Sequence, residues 1–199
     1  GSFTSNLSGL QPGTTYHVRS YAINSAGTAY GNDLTFTTLA VVPTVSTAAI
    51  SGITSGTAIS GGNITSNGGS PVTSRGVCWS TSHNPTTANS RTSNGSGSGS
   101  FTSNLNVLDA NTTYYVRAYA VNNAGTAYGN EVLFTTDQAI LASITTTIVS
   151  SITSTTAISG GNITADGGGS ITARGVCWAT TANPATSNNR TTDGTGTGS

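Results

Sequence analysis

The sequence predicts an all-β protein built of tandem seven-stranded β-sandwiches. Three observations lead to this fold class: the chain repeats itself with a period of about one domain length, its composition favours strands and turns, and its short apolar runs alternate with polar residues. The hydrophobic fraction is 34%, and the chain contains 26 Gly. Thr, Val, Ile and Tyr favour strands, whereas Gly and Asn supply turns.

The repeat is visible in two motifs. The heptapeptide at 1–7 returns at 99–105, an offset of 98, and the pentapeptide at 75–79 returns at 174–178, an offset of 99. Over the two stretches that can be aligned, 53 of 81 positions are identical. This identity indicates recent duplication, and a site that belongs to the repeat unit should therefore occur in both copies.

The phase of the repeat predicts three segments. The pattern weakens after the Phe-Thr-Thr triplets that end at Thr38 and Thr136. We therefore expect the C-terminal part of a sandwich over 1–38 (the first segment), a complete sandwich over 39–137 (the central repeat) and the N-terminal part of a sandwich over 138–199 (the third segment). The first segment carries the late strands that the third segment lacks. Neighbouring copies of the repeat are thus the expected partners, in a continuous array or head to tail between separate chains, and the continuous array is favoured.

Composition excludes several classes of function. Charged residues make up 6% of the chain and the formal net charge is zero, so the basic surface that binds nucleic acid or an anionic membrane is missing. No apolar run approaches the roughly 20 residues that span a bilayer. The absence of Lys, the abundance of hydroxyl side chains and the tandem repetition predict an extracellular protein, secreted or at the cell surface.

Seven short strand-like runs occur in each period, with turn signals every 8–12 residues, and this spacing is typical of a sandwich. The clearest run covers 113–121, where Tyr114 and Val116 alternate with Tyr115 and Arg117. The predicted core contains Tyr16, Tyr114, Val77, Trp79, Val176, Trp178, Cys78 and Cys177.

The stretch at 10–27, which reads LQPGTTYHVRSYAINSAG, resembles the second half of a fibronectin type III domain. The resemblance implies that the Tyr at the start of the sixth strand forms a tyrosine corner, with its hydroxyl bonded to upstream backbone. Tyr16 and Tyr114 match that position. The second copy departs from the pattern at Asn111, which stands where the first has Gly, and Asn can adopt the same left-handed geometry.

RGVCW at 75–79 and AGTAYGN at 26–32 and 124–130 resemble a bacterial variant of this fold. Similar repeats occur in very long surface adhesins and secreted multidomain proteins of gliding Gram-negative bacteria. The resemblance implies a structural or adhesive repeat module. The alternative is a carbohydrate-binding or spacer module of a secreted multidomain hydrolase, in which the chemistry lies elsewhere. In both cases this chain is not expected to be an enzyme.

Candidate catalytic and metal-binding residues are not repeated. His83 is replaced by Ala182 in the other copy, and Asp166 by Asn67. A lone His without a positioned nucleophile or carboxylate cannot perform triad or acid–base chemistry, and a calcium site needs several oxygen ligands. We therefore expect no catalytic, cofactor-binding or metal-binding residue, and no cofactor.

Two further features recur in both copies. Cys78 and Cys177 occur once per period, as small buried side chains beside the Trp or as a link between neighbours. A candidate ligand face lies opposite the tyrosine corner and contains Arg19, Tyr21, Arg117 and Tyr119. Either its guanidinium groups stack on Trp79 or Trp178, as a structural contact, or its aromatic rings bind a surface polysaccharide.

Overall fold

The computed structural model describes residues 1–198, which form strands and turns. None of the described residues belongs to a helix that could cross a membrane. The described chain divides into two compact units, the first made of 1–51, 59–105 and 114–134 and the second of the remaining residues. Each unit contains parts of more than one predicted segment, so the segment boundaries stay a prediction.

The first segment contains four short strands: β1 (Thr15–Val18), β2 (Tyr21–Asn24), β3 (Gly27–Tyr30) and β4 (Leu34–Thr37). β1 pairs with β4 and β2 with β3, both antiparallel. The turn between β2 and β3 is formed by Asn24, whose side-chain oxygen accepts the N–H of Ala26 at 2.9 Å, and by Gly27 at a φ of 139°. Gly suits this turn because residues with a Cβ rarely adopt such a φ.

The central repeat contains β5 (Thr44–Thr47), β6 (Ala58–Ser66), β7 (Ser74–Ser80), β8 (Ser90–Arg91), β9 (Gly99–Leu105), β10 (Thr113–Asn122), β11 (Gly125–Tyr128) and β12 (Val132–Thr135). One sheet has the order β5-β6-β9, and the other has the order β11-β10-β7-β8 with β12 also on β10. β11 and β12 are thus two parts of the predicted seventh strand. The two antiparallel sheets confirm the predicted all-β sandwich class.

The core of the central repeat draws on both sheets. Val77 of β7, Val116 of β10 and Leu105 of β9 are fully buried, and Ile64 of β6 is 2% exposed. β10 alternates as its sequence predicts, with Tyr114, Val116 and Ala118 buried and the side chains between them half-buried. Burying each large aliphatic side chain contributes about 1.5–3 kcal/mol, so these four positions hold the sandwich together.

The third segment contains β13 (Ser143–Thr146), β14 (Gly161–Ala165), β15 (Cys177–Trp178) and β16 (Asn189–Arg190). β13 pairs with β14, and β15 with β16. These strands are shorter than their counterparts: β14 has five residues where β6 has nine, and β15 has two where β7 has seven. β7 is long because seven of its residues pair with β10. Within the described residues, β15 pairs with β16 and with no strand equivalent to β10.

The start of the central repeat and the start of the third segment each make the same backbone contact with a turn of their own segment. The N–H of Val41 donates to Gly68 at 2.9 Å, and the N–H of Ile140 donates to Gly167 at 2.8 Å. A methyl group at Gly68 or Gly167 would overlap the carbonyl oxygen of Val41 or Ile140, respectively. Glycine at the turn therefore permits this close approach of the first residues of each segment.

Asn122 adds two side-chain bonds at the start of the central repeat. Its amide donates to the carbonyls of Val41 at 2.7 Å and Asn67 at 2.8 Å, and the side chain is 5% exposed. We expect Asn122→Ala to lower the free energy of unfolding by about 1–3 kcal/mol, because two part-buried hydrogen bonds of a buried side chain are lost. Denaturant unfolding of the full chain measures this.

The matched control is Asn24→Ala. Asn24 occupies the same position of the repeat but is exposed, and its bond to the turn stays within the turn. Its replacement should cost clearly less than that of Asn122. Equal losses would mean that the bonds to Val41 and Asn67 contribute nothing beyond the turn itself.

Candidate functional site: the sheet faces of complete and partial repeats

The Arg residues of the candidate ligand face stack on Tyr. The guanidinium of Arg117 lies 4.8 Å from the ring centre of Tyr128, and its Nε donates to the carbonyl of Gly129 at 3.0 Å. In the first segment, Arg19 makes the same two contacts, with Tyr30 at 4.6 Å and Gly31 at 3.0 Å. A cation–π contact of this kind contributes about 0.5–2 kcal/mol.

The predicted stacking of these Arg side chains on Trp79 or Trp178 is therefore wrong, because they stack on Tyr. Arg117 lies directly opposite Cys78 in the register of β10 and β7, and Trp79 is the next residue of β7. Neighbouring side chains of a strand point to opposite faces, so Trp79 lies on the other side of the sheet from Arg117. The sequence did not predict the contact of Arg117 with Tyr128, because the β10–β11 hairpin, in which Tyr128 pairs with Tyr119, brings the two side chains together.

Tyr119 is not available as a ligand surface in the central repeat. It is 3% exposed, and its hydroxyl donates to the carbonyl of Thr92 at 2.7 Å. Its counterpart Tyr21 is 64% exposed. The difference arises because Thr92, the residue after β8, covers Tyr119. In the described part of the first segment, nothing equivalent covers Tyr21. The predicted ligand face of Arg19, Tyr21, Arg117 and Tyr119 is therefore wrong for Tyr119 of the central repeat, which is buried.

The tyrosine-corner residues lie at equivalent places. The N–H of Gln11 donates to the hydroxyl of Tyr16 at 2.8 Å, which is the bond to upstream backbone that the resemblance implies. The ring of Tyr16 stacks on Phe36 with centroids 5.8 Å apart, and the ring of Tyr114 stacks on Phe134 at 5.9 Å. Tyr114 is buried, with 7% exposed.

The two RGVCW motifs have different environments. Val77 and Cys78 are fully buried and Trp79 is half-buried. In the third segment, Val176 and Cys177 are half-buried and Trp178 is 51% exposed. The same five residues therefore form a core in one segment and an open face in the other.

The thiol of Cys78 is held in the interior. It donates to the carbonyls of Pro85 and Arg117, both at 3.4 Å, and burial raises its pKa from 9.0 to about 11. The thiol of Cys177 donates to Pro184 at 3.3 Å and is half-buried. Among the described residues, both cysteines are free thiols.

Cys78 is expected to make stability depend on pH above neutrality. Its folded pKa is raised, so its contribution is fully present below 9.0 and is lost as the pH rises from 9.0 to about 11, where the unfolded chain ionises first. Denaturant unfolding at several pH values should show a decline in this window that is reduced in Cys78→Ala. An identical decline in that variant would assign it to other groups.

A pair of His–carboxylate contacts was missed by sequence reasoning. Nδ1 of His83 lies 2.8 Å from Glu131, which also accepts the N–H of Asn84, and these bonds hold the pKa of the Glu131 carboxyl below its usual range. In the first segment, His17 lies 2.8 Å from Asp33. An acidic residue, Asp33 or Glu131, occurs at the same position of both copies. This recurrence is the signal from which the sequence could have predicted the contacts.

These contacts do not assemble a metal site within 1–198, where no group of three His, Cys, Asp or Glu side chains could hold an ion. The His83 ring instead packs at a tilt against the ring of Tyr115, with centroids 3.9 Å apart. The His83–Glu131 pair lies on the outside of the sheet, because the side chain of His83 is 67% exposed.

The third segment has an open apolar groove. Two adjoining cavities of about 230 and 350 Å³ share Ile144, Ile163 and Val176 in their walls. Ile171 lines the larger cavity. In the central repeat the equivalents of Ile163 and Ile171 are Ile64 and Val72, which form one buried cluster with Ala120 of β10. The groove is therefore the part of the sandwich that β10 fills in the central repeat.

No protein-family model matches the chain, and no curated protein matches it. Among solved structures, domains d3–d4 of the rat CD45 extracellular region are similar, with a TM-score of 0.50 and 16% identity over 68% of this chain and 70% of that chain. The FN1–FN3 domains of chicken CNTN1 match with a TM-score of 0.39 and 20% identity over 65% of this chain and 45% of that chain. The similarity to CD45 shows the fold, which is a fibronectin type III-like β-sandwich.

Proposed function

We propose that this chain is a structural or adhesive repeat module of a long extracellular surface protein or filament. The observation that carries the proposal is the repeated contact at the start of a segment, in which Val41 and Ile140 make the same bond to Gly68 and Gly167. A segment start that is fixed twice in the same way, by residues of the repeat itself, suits a protein in which many domains follow one another. The stability of such an array depends on each domain and on its contacts with its neighbours.

The fold supports an extended role of this kind. A ten-residue strand such as β10 is about 33 Å long at ~3.3 Å per residue, so each domain adds length to a stalk at low cost in residues. CD45 carries this fold in its extracellular region, which agrees with the location that composition predicts. A net charge of zero limits repulsion between neighbouring fibres.

The carbohydrate-binding alternative receives less support. A sugar platform needs exposed aromatic rings in every complete repeat, and Tyr119 is buried with its hydroxyl bonded to Thr92. Tyr128 is half-buried under Arg117. The face that was a candidate for polysaccharide is thus occupied by contacts within the repeat.

Surface labelling tests the proposal. An antibody against the central repeat should label intact cells that produce the protein, and brief treatment of those cells with an external protease should remove the label. A cytoplasmic protein, labelled after permeabilisation alone, is the control. Labelling of the repeat that also requires permeabilised cells would exclude a surface role.

A further inference from the structure

We propose that a backbone-to-backbone contact between two loops forms a stiff joint between the first segment and the central repeat, and that the residue at the position of Gly13 determines whether a joint has this form. The contact lies between residues 8–14 of the first segment (the corner loop) and residues 67–70 of the central repeat (the Gly-Gly turn). The role of this joint in a stalk rests on the array of repeats proposed above.

The two loops approach each other more closely than side chains would allow. A methyl group at Gly13 would overlap the carbonyl oxygen of Gly69, and one at Gly69 would overlap the carbonyl oxygen of Pro12. The N–H of Gly13 also donates to the carbonyl of Leu39 at 3.2 Å. Backbone of the first segment therefore packs directly on backbone of the central repeat.

The Gly-Gly turn is a firm support because its own repeat holds it from the other side. The N–H of Val41 donates to the carbonyl of Gly68, and the amide of Asn122 donates to the carbonyls of Val41 and Asn67. Within the turn, the side-chain oxygen of Asn67 accepts the N–H of Gly69 at 2.9 Å. The corner loop thus contacts a turn whose backbone is already fixed.

A contact of this kind resists bending of the joint. Domains that share a small interface usually move relative to one another. At this joint, however, no flexible side chain lies between Gly13 and Gly69. The first compact unit accordingly contains the whole corner loop and the whole Gly-Gly turn.

The second copy of the corner loop has lost the glycine. Asn111 stands at the position of Gly13, with a φ of 50°. Its Cβ is the group that the first joint excludes. At Gly168, the counterpart of Gly69, a methyl group would overlap the hydroxyl of Ser55 and would meet no backbone within 4 Å, apart from its chain neighbours, among the described residues. A side chain, which can rotate, therefore stands where the first joint has a backbone contact.

The distance between two spin labels across the first joint tests the proposal. Labels on Thr35→Cys and Thr65→Cys, at exposed strand positions of the first segment and the central repeat, report the joint in the 199-residue chain. Cys177 is replaced by Ser, and Cys78 is fully buried and should not be labelled. With the native glycines, the distance distribution should be narrow.

Gly13→Asn should shift this distribution to longer distances and broaden it, because the added side chain overlaps Gly69. The corner loop itself accepts Asn, since Asn111 has the same left-handed backbone in the other copy. Gly69→Ala should have the same effect from the side of the central repeat.

Two matched controls separate the contact from backbone strain. Gly9→Asn lies in the same loop at a φ of 74°, and its counterpart Val107 carries a side chain there. Gly97→Ala has a φ of 84°, close to the 81° of Gly69. Added side chains at Gly9 and Gly97 would meet nothing within 4 Å, so both variants should keep the narrow distribution.

Three results would overturn the proposal: a broad distribution with the native glycines, no change in Gly13→Asn and Gly69→Ala, or equal broadening in Gly9→Asn and Gly13→Asn. If surface labelling fails while the narrow distribution and its broadening are found, the proposed location is wrong and the joint stands. Successful surface labelling with a broad distribution would keep the location and exclude the stiff joint.

Discussion

Leu105→Ala is expected to lower the free energy of unfolding by about 2–5 kcal/mol, the usual range for Leu to Ala in a core. Leu105 is the last residue of β9 and is fully buried. Its loss removes apolar contacts and leaves a cavity that the sandwich closes incompletely. Denaturant unfolding of the full chain, followed by Trp fluorescence, measures the change.

The chain supplies its own control at the same position of the repeat. Leu7 corresponds to Leu105 within an identical heptapeptide, but it is 55% exposed. Leu7→Ala should therefore change the stability of the chain by less than about 0.5 kcal/mol, as for most surface substitutions. If both variants lost the same stability, local sequence and not burial would determine the contribution of this Leu.

Gly61→Ala is expected to destabilise the central repeat by about 1–3 kcal/mol, the cost of forcing extra volume into packed structure. Gly61 lies in β6 between the two other strands of its sheet. A methyl group there would overlap the carbonyl oxygen of Phe101 on β9, and backbone moves less readily than a side chain. Unfolding and the hydrogen exchange of the β9 amides should both report the change.

Gly160→Ala is the matched control. Gly160 corresponds to Gly61, but a methyl group there would meet Thr147 Oγ1 at 3.5 Å, an ordinary contact. Reducing the flexibility of the unfolded chain makes such a change neutral or slightly stabilising. A large loss at Gly160 would show that this position requires glycine for a reason other than the neighbouring strand.

The sequence predicts the fold class because its signals are local and repeated. Alternation along 113–121 and turn residues at regular spacing indicate a sandwich without knowledge of any long-range contact. The structure confirms that class. The contacts of Arg117 with Tyr128 and of His83 with Glu131 were not predictable in this way, because their partners are brought together by a hairpin and by a loop 48 residues away.

What the sequence by itself determined is the repeat, the all-β class and which residues of each strand share a face. What the tertiary structure alone decided is which of those faces are buried. Tyr119 and Tyr21 occupy the same place in nearly the same sequence, yet one is 3% and the other 64% exposed. The physical reason is that burial belongs to a pair of surfaces: a strand determines its own alternation, but whether its apolar side leaves water depends on the sheet that packs against it.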